Sequence, residues 1–181
     1  MGAQVSLLKK YMTNIVMFSY YIEPKVIPNL LTEYEIEYIK KESINKFVPS
    51  IIESVFVGNI RKSETAILES NDPIVNSVVK KCVGLTNKPF ENCEQLRVLR
   101  YREGGYFRPH QDSPYEGENK RLYTFIIALN DDYGGGETSF PNLGIKFKLK
   151  KGDAVFFHTL DNREQYTSMA LHAGEPVKSG E

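Results

Sequence analysis

The sequence predicts an α+β chain that is mainly β, a sandwich or barrel of short strands preceded by helices. Two observations lead there. Before residue 94, two segments carry helix caps and apolar stripes at helical spacing. After Glu94, short runs rich in β-branched and aromatic residues alternate with Gly, Pro, Asn and Asp. A length of 181 residues corresponds to about one domain, long enough to bury a core without metal or disulfide staples.

The elements follow in order. Thr32-Glu33-Tyr34-Glu35 is a capping box and starts a helix expected to run to about Phe47. Asp72-Pro73 starts a second helix, with Pro73 at its first position. Val75, Val78, Val79 and Cys82 form the apolar stripe of that helix, and Gly84 can close it. Leu96–Tyr101, Leu122–Asn130, Ile145–Leu149, Ala154–His158 and Tyr166–Leu171 read as strands. Gly104-Gly105, Gly134-Gly135-Gly136, Pro141-Asn142 and Gly152-Asp153 read as the turns between them. Gly58–Thr65 and Ser113–Lys120 read as surface loops, candidate lids over a site.

Composition excludes several classes of function. Hydrophobic residues at 41% and charged residues at 25% are globular values, not those of a disordered chain. Lys plus Arg number 23 and Asp plus Glu number 23, so no global field draws the chain to nucleic acid. No apolar run reaches the ~20 residues of a membrane helix. Cys82 and Cys93, outside any CxxC pattern, make neither a disulfide scaffold nor a cysteine zinc site. The opening Met-Gly-Ala-Gln-Val-Ser fits a myristoylation pattern with Gly2 as acceptor, or is a plain terminus. Lys9 and Lys10 would add weak attraction to anionic lipid. No secretory signal is evident, so a cytoplasmic location is expected, with membrane association if Gly2 is acylated.

His110, His158 and His172 are the three histidines. In Pro109-His110-Gln111-Asp112, residues two apart on a strand face one side, about 6.6 Å apart. An imidazole and a carboxylate so placed are two thirds of the triad that holds non-haem Fe(II), the third being a histidine from a distant strand. His172 lies on such a segment. A hydrogen-bonded surface pair would look the same in isolation.

The surroundings carry more. Arg97 through Asp112 resembles the metal-binding strand of the prolyl 4-hydroxylases, which are Fe(II)- and 2-oxoglutarate-dependent dioxygenases. Arg121-Leu122-Tyr123-Thr124 with Ala128-Leu129-Asn130, Gly135-Gly136-Glu137-Thr138-Ser139-Phe140-Pro141, Lys151 through Phe157, and Leu171 through Val177 are similar to later pieces of that family, in order. Arg61-Lys62-Ser63 is a fainter match. Compact single-domain members from algae and large DNA viruses look nearest.

The resemblance implies a double-stranded β-helix, a jelly-roll barrel with helices packed outside. It implies an N-terminal extension over residues 1–25 and one dioxygenase domain over residues 26–181, with helical support at 30–90 and the barrel at 94–181, ending before the last family strand. It assigns metal binding and catalysis to His110, Asp112 and His172, leaving His158 as a strand-end histidine. Tyr101 and Thr138 would bind 2-oxoglutarate. The family's cation there is a lysine ten residues after the distal histidine, which falls one position past Glu181. Lys178 stands on the preceding turn in the family's register and does not take that place. Arg121, Phe107, Glu94 and Arg61 would border a groove for a proline-containing peptide, Phe107 standing where many relatives have tyrosine. Fe(II), 2-oxoglutarate, O2 and ascorbate are the implied cofactors, and proline C4 hydroxylation with release of succinate and CO2 the implied reaction. The same barrel acting on another residue or a small molecule is one alternative. A catalytically weak module that binds proline-rich peptide is another. A zinc hydrolase is a third, since two histidines and an aspartate also suit zinc. The sequence leaves the protein substrate and the oligomeric state open.

Overall fold

The computed structural model describes residues 18–50, 60–113 and 119–181. The chain runs β1 (Lys25–Ile27), α1 (Glu33–Ser43), β2 (Val48–Pro49), β3 (Arg61–Lys62), β4 (Glu64–Ile67) and α2 (Pro73–Val83). It continues β5 (Arg97–Arg100), β6 (Tyr106–His110), β7 (Tyr123–Ile127), β8 (Gly134–Gly135), β9 (Thr138–Phe140) and β10 (Ile145–Phe147). The last strands are β11 (Ala154–His158), β12 (His172–Gly174) and β13 (Val177–Ser179).

Local chemistry explains the helices. The Thr32 hydroxyl accepts from the Glu35 N–H, and the Glu35 carboxylate accepts from the Thr32 N–H at 2.8 Å, closing the capping box. Lys81 on α2 donates to the same carboxylate at 2.7 Å and ties the two helices together. α1 stops at Ser43, short of the expected Phe47. The Ser43 hydroxyl turns back to the Lys40 carbonyl and Ile44 is exposed, while Phe47 packs against the core from beyond the helix end. Asp72 caps α2 by accepting from the Ile74 and Val75 N–H groups at 2.9 Å each. Val75, Val78 and Val79 are buried, whereas Cys82 is half-buried. Leu31, Ile36, Ile39, Val75 and Val78 pack with Ala66, Leu68 and Val98 from β4, its trailing loop and β5. Each of the Leu, Ile and Val side chains contributes roughly 1.5–3 kcal/mol on burial.

Two sheets build the site. A five-stranded sheet has the order β10-β9-β12-β6-β3, and a three-stranded sheet the order β1-β11-β7. They face each other: the Phe157 ring of β11 lies 5.0 Å from Phe140 of β9 and 4.7 Å from His172 of β12. Sheets β13-β8 and β2-β4-β5 complete the described strands. Gly152, at φ +88°, makes the turn into β11, where a side chain would strike the Leu31 carbonyl at 2.9 Å.

Several expectations change. Tyr166–Leu171 is not a strand: Tyr166 makes one bridge to Leu160, and Ser168–Ala170 is a 3-10 turn whose first N–H groups include one accepted by the Thr167 hydroxyl. The strand begins at His172. Gly134-Gly135 pairs with β13 rather than only turning. Within Gly58–Thr65, Arg61–Lys62 and Glu64–Thr65 are sheet, because β3 and β4 each find a partner strand. Residues 58 and 59, and 114–118 of the other loop, lie outside the described residues, as do Gly2, Lys9 and Lys10.

The pairing of β6 with β12 is irregular. His172 pairs with His110 and Gly174 with Phe107, so three steps along β6 oppose two along β12. That bulge puts Phe107 and His110 on one face, and their rings stack at 3.5 Å.

Candidate active site

The structure brings His110, Asp112 and His172 together, one ligand atom from each lying within 4.8 Å of the others. His110 closes β6 and His172 opens β12 directly opposite, with ring centres 4.2 Å apart. Nε2 of His110 lies 3.7 Å from one Asp112 oxygen, and Nε2 of His172 lies 3.6 Å from the other. Nδ1 of His110 faces the Arg108 carbonyl at 2.8 Å, and Nδ1 of His172 faces the Ala170 carbonyl at 3.0 Å. A carbonyl only accepts, so the proton sits on Nδ1 and each Nε2 presents a lone pair to the shared centre. Burial, then the neighbouring His172, push the His110 pKa down to about 4, which keeps the ring neutral near pH 7.

Aromatic rings dry the site. Phe107 covers His110, while Phe140 and Phe157 lie 5.7 and 4.7 Å from His172, which is 3% exposed. The donor set fits a divalent cation: two imidazole nitrogens and a carboxylate from one side leave the rest of an octahedron free.

Asp112 is held from outside. The Thr124 hydroxyl of β7 donates to Oδ2 at 2.6 Å. Nη1 of Arg121 donates to the Asp112 backbone carbonyl at 3.0 Å and lies 3.5 Å from Oδ1. Arg121 and Glu94, expected separately along a peptide groove, are joined: Nε and Nη2 of the guanidinium donate to the two Glu94 oxygens at 2.7 and 2.8 Å. Arg121 holds the Glu94 carboxyl below its usual range. The sequence carries Thr124 within the Arg121–Thr124 motif but gives it no role, since its partner is fixed only by the facing of β7 and the loop before it.

A second cluster adjoins the first. Thr138 pairs with Gly174, Gly174 with Phe107, and Phe107 with Arg61, a row across four strands that shares one face. The Arg61 guanidinium lies 4.6 Å over the Phe107 ring and 5.8 Å from the Tyr101 ring. Its Nε donates to Ser63 at 2.7 Å, while Nη2 is buried with no partner among the described residues. Tyr101 is hydrogen-bonded to Ser63 and Arg61, and burial raises its pKa. A half-buried cation with a buried, unused donor, beside a tyrosine hydroxyl, suits an anionic or carbonyl group, as 2-oxoglutarate or a peptide would bring. His158 stands apart at the end of β11, edge-on to Tyr123 at 4.9 Å, and Lys178 is exposed on β13.

Residues 96–181 match the profile of the 2OG-Fe(II) oxygenase superfamily. A protein of Acanthamoeba polyphaga mimivirus, named as a prolyl 4-hydroxylase, is 34% identical over 89% of this chain and 71% of its own. Prolyl 4-hydroxylase 1 of Arabidopsis thaliana is 30% identical over 86% of this chain and 64% of its own. The chicken prolyl 4-hydroxylase subunit alpha-2 is 30% identical, but this chain spans only 31% of it. Among solved structures, the viral collagen prolyl hydroxylase of Paramecium bursaria Chlorella virus-1, in its 2-oxoglutarate complex, superposes with a TM-score of 0.71 and 28% identity, over 87% of this chain and 90% of that one. The jelly-roll architecture of such oxygenases is therefore that of the two facing sheets.

Proposed function

This chain belongs to the prolyl 4-hydroxylase family of Fe(II)- and 2-oxoglutarate-dependent dioxygenases, and we propose that it hydroxylates proline at C4 within a peptide or protein. The observation that carries this is the convergence of His110, Asp112 and His172 beside the Arg61 guanidinium, whose Nη2 is buried with no partner among the described residues.

In this reading His110, Asp112 and His172 hold the metal. Tyr101 and Thr138 offer hydroxyls to 2-oxoglutarate, and Arg61 brings positive charge to the same end of the site. Phe107 walls the metal side, and Arg61 with the Glu94–Arg121 pair borders the peptide. Once bound, Fe(II), 2-oxoglutarate and O2 supply the oxidising chemistry that turns C4–H into C4–OH with release of succinate and CO2, ascorbate keeping the iron ferrous. The chain's own contribution is geometric and electrostatic. The neutral His110 imidazole keeps its lone pair available, Arg121 restrains the backbone of Asp112, and the three phenylalanines exclude water.

Residues 26–181 act as one dioxygenase domain behind an extension at 1–25, with α1 and α2 buttressing the barrel. The protein works in the cytoplasm, and an acylated Gly2 would add weak membrane contact. No helix among the described residues is long and apolar enough to cross a membrane.

The test is succinate release coupled to peptide hydroxylation. Full chain loaded with Fe(II) and given ascorbate, 2-oxoglutarate and varied proline peptides should release succinate and add one oxygen to proline, located at C4 by mass spectrometry and amino-acid analysis. Folded, iron-loaded protein that turns over none of a broad peptide set overturns the proposal. Oxygen added to another residue transfers it to the related barrel chemistry.

A further inference from the structure

We propose that Thr124 is a positioning residue that makes Asp112 a one-oxygen metal ligand, an inference that rests on His110, Asp112 and His172 holding a metal. A carboxylate can grip a cation with one oxygen or with two. Two would use an extra coordination position, in a site that must also admit a chelating cosubstrate and oxygen. The two oxygens of Asp112 are not equivalent here. Oδ2 accepts the Thr124 hydroxyl at 2.6 Å, a short bond to a charged acceptor. Oδ1 has Arg121 Nη1 at 3.5 Å, and that guanidinium already serves Glu94 and the Asp112 backbone carbonyl. Both oxygens face the histidines, Oδ1 at 3.7 Å from His110 Nε2 and Oδ2 at 3.6 Å from His172 Nε2, so it is the charge that Oδ2 gives to the Thr124 hydroxyl that makes Oδ1 the stronger donor to the ion.

The placement of Thr124 is built in. It sits within β7, where its register partner is Phe157 of β11, so both point to the same face. Phe157 packs on His172 at 4.7 Å. One rung of the three-stranded sheet therefore steadies two of the three ligands, although it contributes none. Threonine is β-branched, so its χ1 is stiff and its hydroxyl does not wander among rotamers.

The experiment uses Co(II) as the probe, because its visible bands report coordination number and ligand set without turnover. Wild type, Thr124→Val, Thr124→Ala and Thr124→Ser are titrated as full chains, with circular dichroism checking the fold. Valine keeps the shape and loses the donor; alanine loses both, and reports if valine does not fold; serine keeps the donor. Val and Ala should weaken Co(II) binding by ~10–100-fold, the range for partners that orient a ligand, and should shift the bands. Ser should restore both affinity and spectrum. Folded Val or Ala variants with wild-type affinity and bands overturn the proposal, as does a Ser variant no better than Ala. Wild type that binds no Co(II), or binds it equally well after His172→Ala, overturns the metal-site reading itself, and this proposal with it.

Discussion

The two facing sheets divide the labour unequally. The five-stranded sheet carries His110 and His172 on neighbouring strands, with Asp112 just past its β6 edge and Arg61 and Thr138 in a row beside them. The three-stranded sheet answers with Phe157 and Thr124, neither of which reacts. One wall holds the chemistry, and the other sets its orientation and dryness. A site of this kind is damaged in two distinguishable ways: by removing a donor, or by loosening what the donor rests against.

The largest effect should come from the reactive wall. His172→Ala or Asp112→Ala should cost more metal affinity than the roughly hundredfold ceiling for outer partners, and should abolish succinate release; calorimetric titration with a divalent metal checks it. If either variant binds metal as wild type does, the division between the walls is wrong. Next is the supporting wall. Phe157→Ala should destabilise the fold by about 3–5 kcal/mol in urea denaturation, since the ring is fully buried, and should weaken metal binding by releasing His172. Loss of stability without loss of affinity would show that the wall packs but does not position. Ile36→Ala sharpens the contrast from outside the barrel. It should cost about 2–5 kcal/mol in the helix core while metal affinity in the folded protein stays unchanged.

The smallest effect concerns the α2 cap. Asp72→Ala should cost about 1 kcal/mol and leave the site untouched. The Tyr38 hydroxyl, then the Val75 N–H, hold the Asp72 carboxyl below its usual range. A lowered folded pKa means stabilisation that is present above the ordinary carboxylate range and is lost as pH falls through the folded value. The stability gap between wild type and Asp72→Asn should therefore narrow as the solution is acidified below pH 4, read by urea denaturation at each pH.

What is legible in the sequence follows the range of the forces involved. The caps at Thr32 and Asp72 act over three residues, and both stand where the sequence puts them. The spacing of His110 and Asp112 is local too, whereas His172 is reached only through the ordered family motifs. Tyr166–Leu171 misleads because its composition is strand-like, while a single hydroxyl on Thr167 favours a turn. Arg121 and Glu94 read one at a time as groove residues, and only the folded chain shows that each is the other's partner. Thr124 cannot be assigned from spacing at all. Its hydroxyl meets Asp112 across a connection whose path no periodicity describes.

The extra residue in β6 makes the chain's reading frame a chemical quantity. Between Phe107 and His110 the strand takes three steps where its neighbour takes two, and Pro109, which lacks an N–H to give, sits in that stretch. Shortening the stretch by one residue would leave Phe107 and His110 two apart, opposite a neighbour that also takes two, so a plain ladder would hold both on the face that the bulge now gives them. Homologous chains one residue shorter here would be expected to pair without the bulge and keep the ligand, so an alignment of the family should tolerate a single-residue gap in this short span rather than shift the triad.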